Sequence, residues 1–148
     1  YDESGLAKKD ATPAHSFGSP KRPMGMDSKF FSEMPSLCHN IELVKPGRSF
    51  REVVEKEWPL PAEFAPYRYG IAHGLGIKDE WPFLPNLMDV EHLSDPDAEL
   101  QPGMVICIES YIGAWGGREG IKLEEQVLVT ETGYERLSRF PYEEALLR

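Results

Sequence analysis

Pro102-Gly-Met-Val-Ile-Cys-Ile-Glu109, Gly116-Gly117 and Lys122-Leu-Glu-Glu-Gln-Val-Leu-Val-Thr130 decide the architecture of this chain. Residues 104–108 are an unbroken apolar run, the pattern of a strand covered on both faces. The two glycines offer a hairpin turn. Residues 122–130 then resume as a second strand, with Leu123, Val127 and Val129 on one face and Glu124, Gln126 and Leu128 on the other. A two-residue turn at the glycines sets Glu109 directly opposite Glu124, with Cβ atoms roughly 4.5–5.5 Å apart. Like charges so placed repel, and burying them unpaired is expensive. The pattern therefore predicts a positive charge between them, for which a metal ion is the economical candidate. The alternative is a solvated hairpin with both glutamates on the surface. The apolar run before Glu109 argues against that for Glu109. A turn at Thr132-Gly133 and a short third strand over residues 134–137 follow.

Outward from this hairpin, the N-terminal side is helical. Leu37, Ile41 and Val44 recur at i, i+4 and i+7, one face of a helix that ends at Pro46-Gly47. Ser49-Phe-Arg-Glu52 has the form of a capping box opening a second helix, carried by Val53 and Val54 and stopped by Trp58-Pro-Leu-Pro61. Tyr69-Gly-Ile-Ala-His-Gly-Leu-Gly76 is apolar with three glycines, which lets backbone pass close to other groups. Asp79-Glu-Trp-Pro-Phe-Leu-Pro85 reads as an irregular but packed wall, and residues 86–102 as a polar surface excursion closed by a Gln101-Pro-Gly103 turn. Residues 1–30 carry Pro13, Gly18, Pro20, Pro23 and Gly25 without an apolar period, and read as a loose arm. Two helices on an antiparallel sheet make an α+β domain.

Bulk properties narrow the function. The chain has 148 residues, 41% of them hydrophobic, enough for one modest core. Lys and Arg number 16 against 25 Asp and Glu, a net charge of −9, which argues against nucleic acid or an anionic membrane as partner. No apolar run approaches the ~18 residues of a membrane span, and no secretory signal opens the chain. Cys38 and Cys107 make neither a disulfide framework nor a zinc knuckle, so a reducing, cytoplasmic setting is expected. A start at Tyr1 fits a processed or partial chain.

His73, in its Gly-rich apolar setting, is open to two readings. It is a hydrogen-bonded structural histidine, or a third ligand beside the two carboxylates. One imidazole with carboxylates suits Mn, Fe, Co or Zn better than Ca or Mg. Asp79 and Glu80 lie six and seven residues beyond it. A carboxylate against an apolar wall has its pKa raised, as a general acid or base near neutral pH requires. The alternative is a plain acidic pair on the surface.

These residues together resemble the pita-bread metallopeptidase superfamily, which holds methionine aminopeptidases, Xaa-Pro peptidases, creatinase and a dimethylsulfoniopropionate lyase. The carriers are His73-Gly-Leu-Gly76, Pro102 to Glu109, Leu123-Glu-Glu-Gln-Val-Leu-Val-Thr130, Gly133-Tyr-Glu-Arg-Leu-Ser138 and the Val44-Lys-Pro-Gly-Arg-Ser49 turn, five pieces in the family's order. The resemblance implies a partial pita-bread catalytic domain over residues 31–148, its C-terminal half, with a divalent transition metal held by His73, Glu109 and Glu124. The family completes a two-metal site with two aspartates from strands upstream. Here Asp2, Asp10 and Asp27 lie in the arm, so a C-terminal piece of a longer protein, or a non-catalytic remnant, is expected. Asp79-Glu-Trp-Pro82 resembles the lyase branch, where an aspartate six residues after the metal histidine is the base. In that reading Asp79 removes the α-proton and dimethyl sulfide leaves acrylate behind. In the peptidase reading Glu109 shuttles protons while a dipeptide bond is hydrolysed. An open sheet edge and an exposed apolar face imply a homodimer or a partner chain.

Overall fold

A computed structural model describes residues 14–16, 33–62, 64–65, 68–77, 79–113, 116 and 120–140. Among the described residues, six antiparallel strands form one sheet: β1 (Ala14–Ser16), β2 (Ala72–Leu75), β3 (Asp79–Leu84), β4 (Val105–Gly113), β5 (Gly120–Val129) and β6 (Tyr134–Arg136). Their order is β1-β5-β4-β2-β3, with β6 also on β5. Helices α1 (Glu33–Glu42) and α2 (Phe50–Glu55) cover one face.

The helices form near where the apolar period placed them, but α1 ends at Glu42, short of Pro46-Gly47, so that Val44 lies beyond it. Leu37, Ile41 and Val44 are buried, and so are Phe50, Val53 and Val54 of α2. Ser49 caps α2, its side chain accepting a hydrogen bond from the Glu52 amide at 3.2 Å. These side chains pack on Ile106, Ile108, Ile121, Leu123, Val127 and Val129, the alternate residues of β4 and β5 that point toward the helices. The opposite alternation, Cys107, Glu109, Lys122, Glu124 and Gln126, therefore shares the other face.

The β4–β5 ladder runs from Val105↔Leu128 to Gly113↔Gly120, and Glu109 stands opposite Glu124 in the expected register. Gly116 has φ +69°, the left-handed region that a glycine at a hairpin turn supplies. Its neighbours 114, 115 and 117–119 lie outside the described residues. Both strands are longer than the sequence patterns suggest, since Tyr111 and Ile112 pair with Lys122 and Ile121.

Three segments differ from expectation. Residues 79–84 form an edge strand rather than a wall without secondary structure, its register with β2 broken between Glu80 and Phe83, and Trp81 and Phe83 stay about half exposed on it. Pro82 is tolerated because an edge strand does not need every ladder hydrogen bond. Residues 86–102 are more than a surface excursion, because Leu93 and Leu100 enter the core. Backbone bonds from the Gly47 amide to Leu100 O and from the Phe50 amide to Ala98 O tie this segment to the turn between the helices. Within the arm, Ala14–Ser16 pairs with β5 as a short strand, Ala14 opposite Leu123. The rest of residues 1–30, including Asp2, Asp10 and Asp27, lies outside the described residues. Among the described residues, no helix is long and apolar enough to cross a membrane.

Candidate metal centre

Three strands bring the candidate ligands together. β2 lies between β3 and β4, and its His73 pairs with Cys107 of β4. Glu109 follows Cys107 by two residues, so it lies on the same face, opposite Glu124 of β5. His73, Cys107 and Glu109 are all buried, and the Glu124 side chain is about a quarter exposed. His73 Nε2 is 3.4 Å from Glu109 Oε1. Its Nδ1 is 2.9 Å from Gly74 O. A carbonyl only accepts, so Nδ1 donates that bond, and Nε2 is the nitrogen turned toward Glu109. A backbone carbonyl on Nδ1 fixes the ring orientation, as such partners do for metal-ligating histidines.

The positive charge that the carboxylate pair demands comes, in the first instance, from the chain itself. Lys122 Nζ is 3.2 Å from Glu124 Oε2 and is also bonded to Glu109 Oε1. Burial pushes the Glu109 carboxyl upward, but hydrogen bonds from His73 and Lys122 outweigh it and hold the group below its ordinary value. Burial works downward on Lys122, yet the hydrogen bond and charge of Glu109, with Glu124 behind them, leave its pKa raised. One ammonium thus stands against two carboxylates, beside the His73 imidazole. Glu109 Oε2 is buried with no hydrogen-bond partner. An orphaned carboxylate oxygen, two carboxylates on one face and an imidazole beside them fit a divalent cation, and the nitrogen favours a transition metal.

Asp79 and Glu80 part company. Asp79 opens β3 with its Cα opposite Leu75, two residues beyond His73 on β2. The Glu80 carboxylate accepts a hydrogen bond from the Ile77 amide at 3.1 Å and so braces the β2–β3 turn. Behind it, Trp81 Nε1 donates to Asp95 Oδ2 at 3.0 Å, and the Trp81 ring meets Phe50 edge-on.

Sequence reasoning passed over four residues. Lys122 and Cys107 were legible, because each sits two residues from a glutamate of the pair and so on its face. Glu125 was assigned to no face, yet it is buried among the alternate residues that face the helices. Glu57 carried no periodic signal at all. It follows α2, and its Oε1 accepts from the Leu87 amide at 2.9 Å. Its other oxygen has no partner and the residue lines a cavity of about 30 Å³ with Asn40, Arg68 and Asn86. Burial pushes its carboxyl from an ordinary 4.5 up to about 7. The folded chain thus holds this proton where the unfolded chain has lost it. Stability from this group is full below about 4.5, falls as pH rises toward about 7, and is level above. Glu57→Gln, which keeps the oxygen that accepts from Leu87, is expected to flatten that fall in urea denaturation between pH 4.5 and 7. An unchanged slope would place the titration elsewhere.

A family model described as metallopeptidase family M24 matches residues 36–131, from α1 through β5. Over 112 residues the chain is 44% identical to the dimethylsulfoniopropionate lyase DddP of Roseovarius nubinhibens, a match covering 75% of this chain and 25% of that protein. The same-named lyase of Roseobacter denitrificans is 41% identical over 109 residues, covering 73% and 24%. Among solved structures, prolidase from Pyrococcus furiosus superposes with a TM-score of 0.59 at 26% identity, covering 84% of this chain and 35% of that one. The chain thus spans about a quarter of the length of the lyases. The α+β architecture is the C-terminal part of a pita-bread fold, and with more than half of its residues matched by the family model, the chain belongs to metallopeptidase family M24.

Proposed function

We propose that this chain carries the metal-binding part of a lyase that cleaves the C–S bond of dimethylsulfoniopropionate, with a divalent ion (Mn, Fe, Co or Zn) on His73, Glu109 and Glu124 and with Asp79 as base. The supporting observation is the level of identity: above 40% to two lyases, against 26% to prolidase. The place of Asp79 six residues after His73 agrees with it.

When bound, the ion supplies Lewis-acid charge that holds the substrate carboxylate and acidifies the adjacent carbon. Asp79 takes the α-proton. The electron pair of that C–H bond becomes the second bond of the alkene, the C–S bond breaks toward sulfur, and dimethyl sulfide leaves as a neutral molecule. Acrylate remains. His73, Glu109 and Glu124 would hold the ion, and the Lys122 ammonium, which bridges the two carboxylates without it, would give way. A homodimer or a partner chain as the assembly, and the cytoplasm as its place, belong to the same proposal.

The prolidase likeness supports a second reading, an Xaa-Pro-type peptidase in which Glu109 shuttles protons. One assay separates the two. The chain, alone and joined to a segment carrying the two aspartates, is given dimethylsulfoniopropionate or an Xaa-Pro dipeptide with each of the four metals. Dimethyl sulfide and acrylate in equal amounts are expected. Release of proline without dimethyl sulfide would replace the lyase by the peptidase, and no turnover of either would leave a non-catalytic fold.

A further inference from the structure

We propose that Cys107 is a fourth donor of this centre, its thiolate completing a His/Cys/Glu/Glu set that selects a thiophilic divalent ion, zinc, cobalt or ferrous iron, over manganese or magnesium. The inference rests on the metal reading above and extends it to a residue that reading does not use.

The register is the first ground. Cys107 lies across from His73 on one side and two residues before Glu109 along its own strand. Its thiol donates to Glu124 Oε1 at 2.7 Å. Ligand atoms of His73, Cys107 and Glu124 all lie within 4.8 Å of one another. Around a tetrahedral zinc, with bonds of ~2.0–2.3 Å, donors stand roughly 3.3–3.8 Å apart. Small side-chain rotations close that difference.

The second ground is the orphaned Glu109 Oε2, in a residue only 3% exposed. It belongs to the same face and lacks a donor. An incoming cation satisfies it and displaces the Lys122 ammonium, whose side chain is 28% exposed and free to swing toward water.

A buried cysteine is ordinarily a small apolar filler. Cys107 is fully buried, yet it stands apart from the cluster that the helices make with β4 and β5. Its polar neighbours are Glu124, Glu109 and Lys122, and a thiol among carboxylates gains little from packing. A thiolate on a metal gains a strong bond there, and its proton is released to solvent on binding. Thiolate ligation favours zinc, cobalt and iron, whereas an all-oxygen and imidazole set also accommodates manganese.

Cobalt(II) titration tests this, because a thiolate ligand produces a sulfur-to-cobalt charge-transfer band in the near ultraviolet. Wild type is expected to develop the band to one equivalent. Cys38→Ser, which leaves Cys107 the sole thiol, is expected to keep it. Cys107→Ser is expected to lose the band and to bind zinc at least about tenfold more weakly by calorimetry, the lower edge of what removing even an outer partner costs. Manganese affinity should change little, so the selectivity falls. Circular dichroism reports whether Cys107→Ser is folded, and if it is not, the band in Cys38→Ser decides alone. Cobalt binding that needs His73 but shows no band would overturn the role of Cys107 and leave the three-ligand centre standing. No binding, or binding unaffected by His73→Ala, would overturn the centre itself and this inference with it.

Discussion

Gly74→Ala is expected to cost about 3 kcal/mol of stability, the upper end for forcing an extra methyl into packed structure, and to unseat His73. A Cβ at residue 74 would stand 2.1 Å from Trp81 O, 2.7 Å from the Trp81 carbonyl carbon and 3.1 Å from Glu80 O. All three atoms are backbone, so no side chain can rotate away. The β2–β3 register already shifts between His73 and Gly74, which is how β3 comes so close. Relief requires the edge strand to move off β2, carrying the residue beside His73 with it. Gly76 is the internal control. A Cβ there would meet only the Glu80 carboxylate, the far end of a flexible side chain, at 2.2 Å from its carbon. Gly76→Ala should therefore cost well under half as much, chiefly the hydrogen bond from the Ile77 amide to Glu80, roughly 1 kcal/mol. Urea midpoints of the two variants, with zinc calorimetry on each, check this. Equal midpoints for Gly74→Ala and wild type would mean the hairpin is looser than its contacts imply.

The parts of this molecule legible in the sequence are those with a period or a turn signal of their own. A turn centred on Gly116-Gly117 in the sequence gives the pairing of Glu109 with Glu124 from spacing alone. The helices were legible from Leu37, Ile41 and Val44 and from the Ser49 cap. Strand β3 was obscured because Pro82 argues against a strand unless its place at the sheet edge is known, and edge position is a property of topology. Leu93 and Leu100 were hidden within a polar segment whose backbone is held by the turn between the helices, some fifty residues upstream. The site shows the same division. Cys107 and Lys122 follow from the two-residue period once the glutamates are paired, but only the fold shows that Lys122 bridges both carboxylates. Glu57 depends on contacts with Leu87, distant in sequence, and left no local trace.

Asp79→Ala is expected to lower dimethyl sulfide release by about 10²–10⁴-fold, the contribution of a positioned general base, while zinc binding stays within about twofold of wild type. The two halves of that outcome come from different strands. On the proposed reading the metal ligands belong to β2, β4 and β5, whereas Asp79 opens β3 and ligates nothing. Removing it leaves the substrate carboxylate its cation and removes only the acceptor for the α-proton, so kcat should fall with little change in KM. Asp79→Glu keeps a carboxylate but moves it by a methylene, and should recover part of the rate; Asp79→Asn keeps the shape without the base, and should not. A peptidase responds differently. There the proton shuttle is Glu109, so dipeptide hydrolysis should survive Asp79→Ala and vanish in Glu109→Gln. Loss of zinc binding in Asp79→Ala would make Asp79 a part of the metal site rather than the base, and unchanged dimethyl sulfide release would remove it from the mechanism altogether.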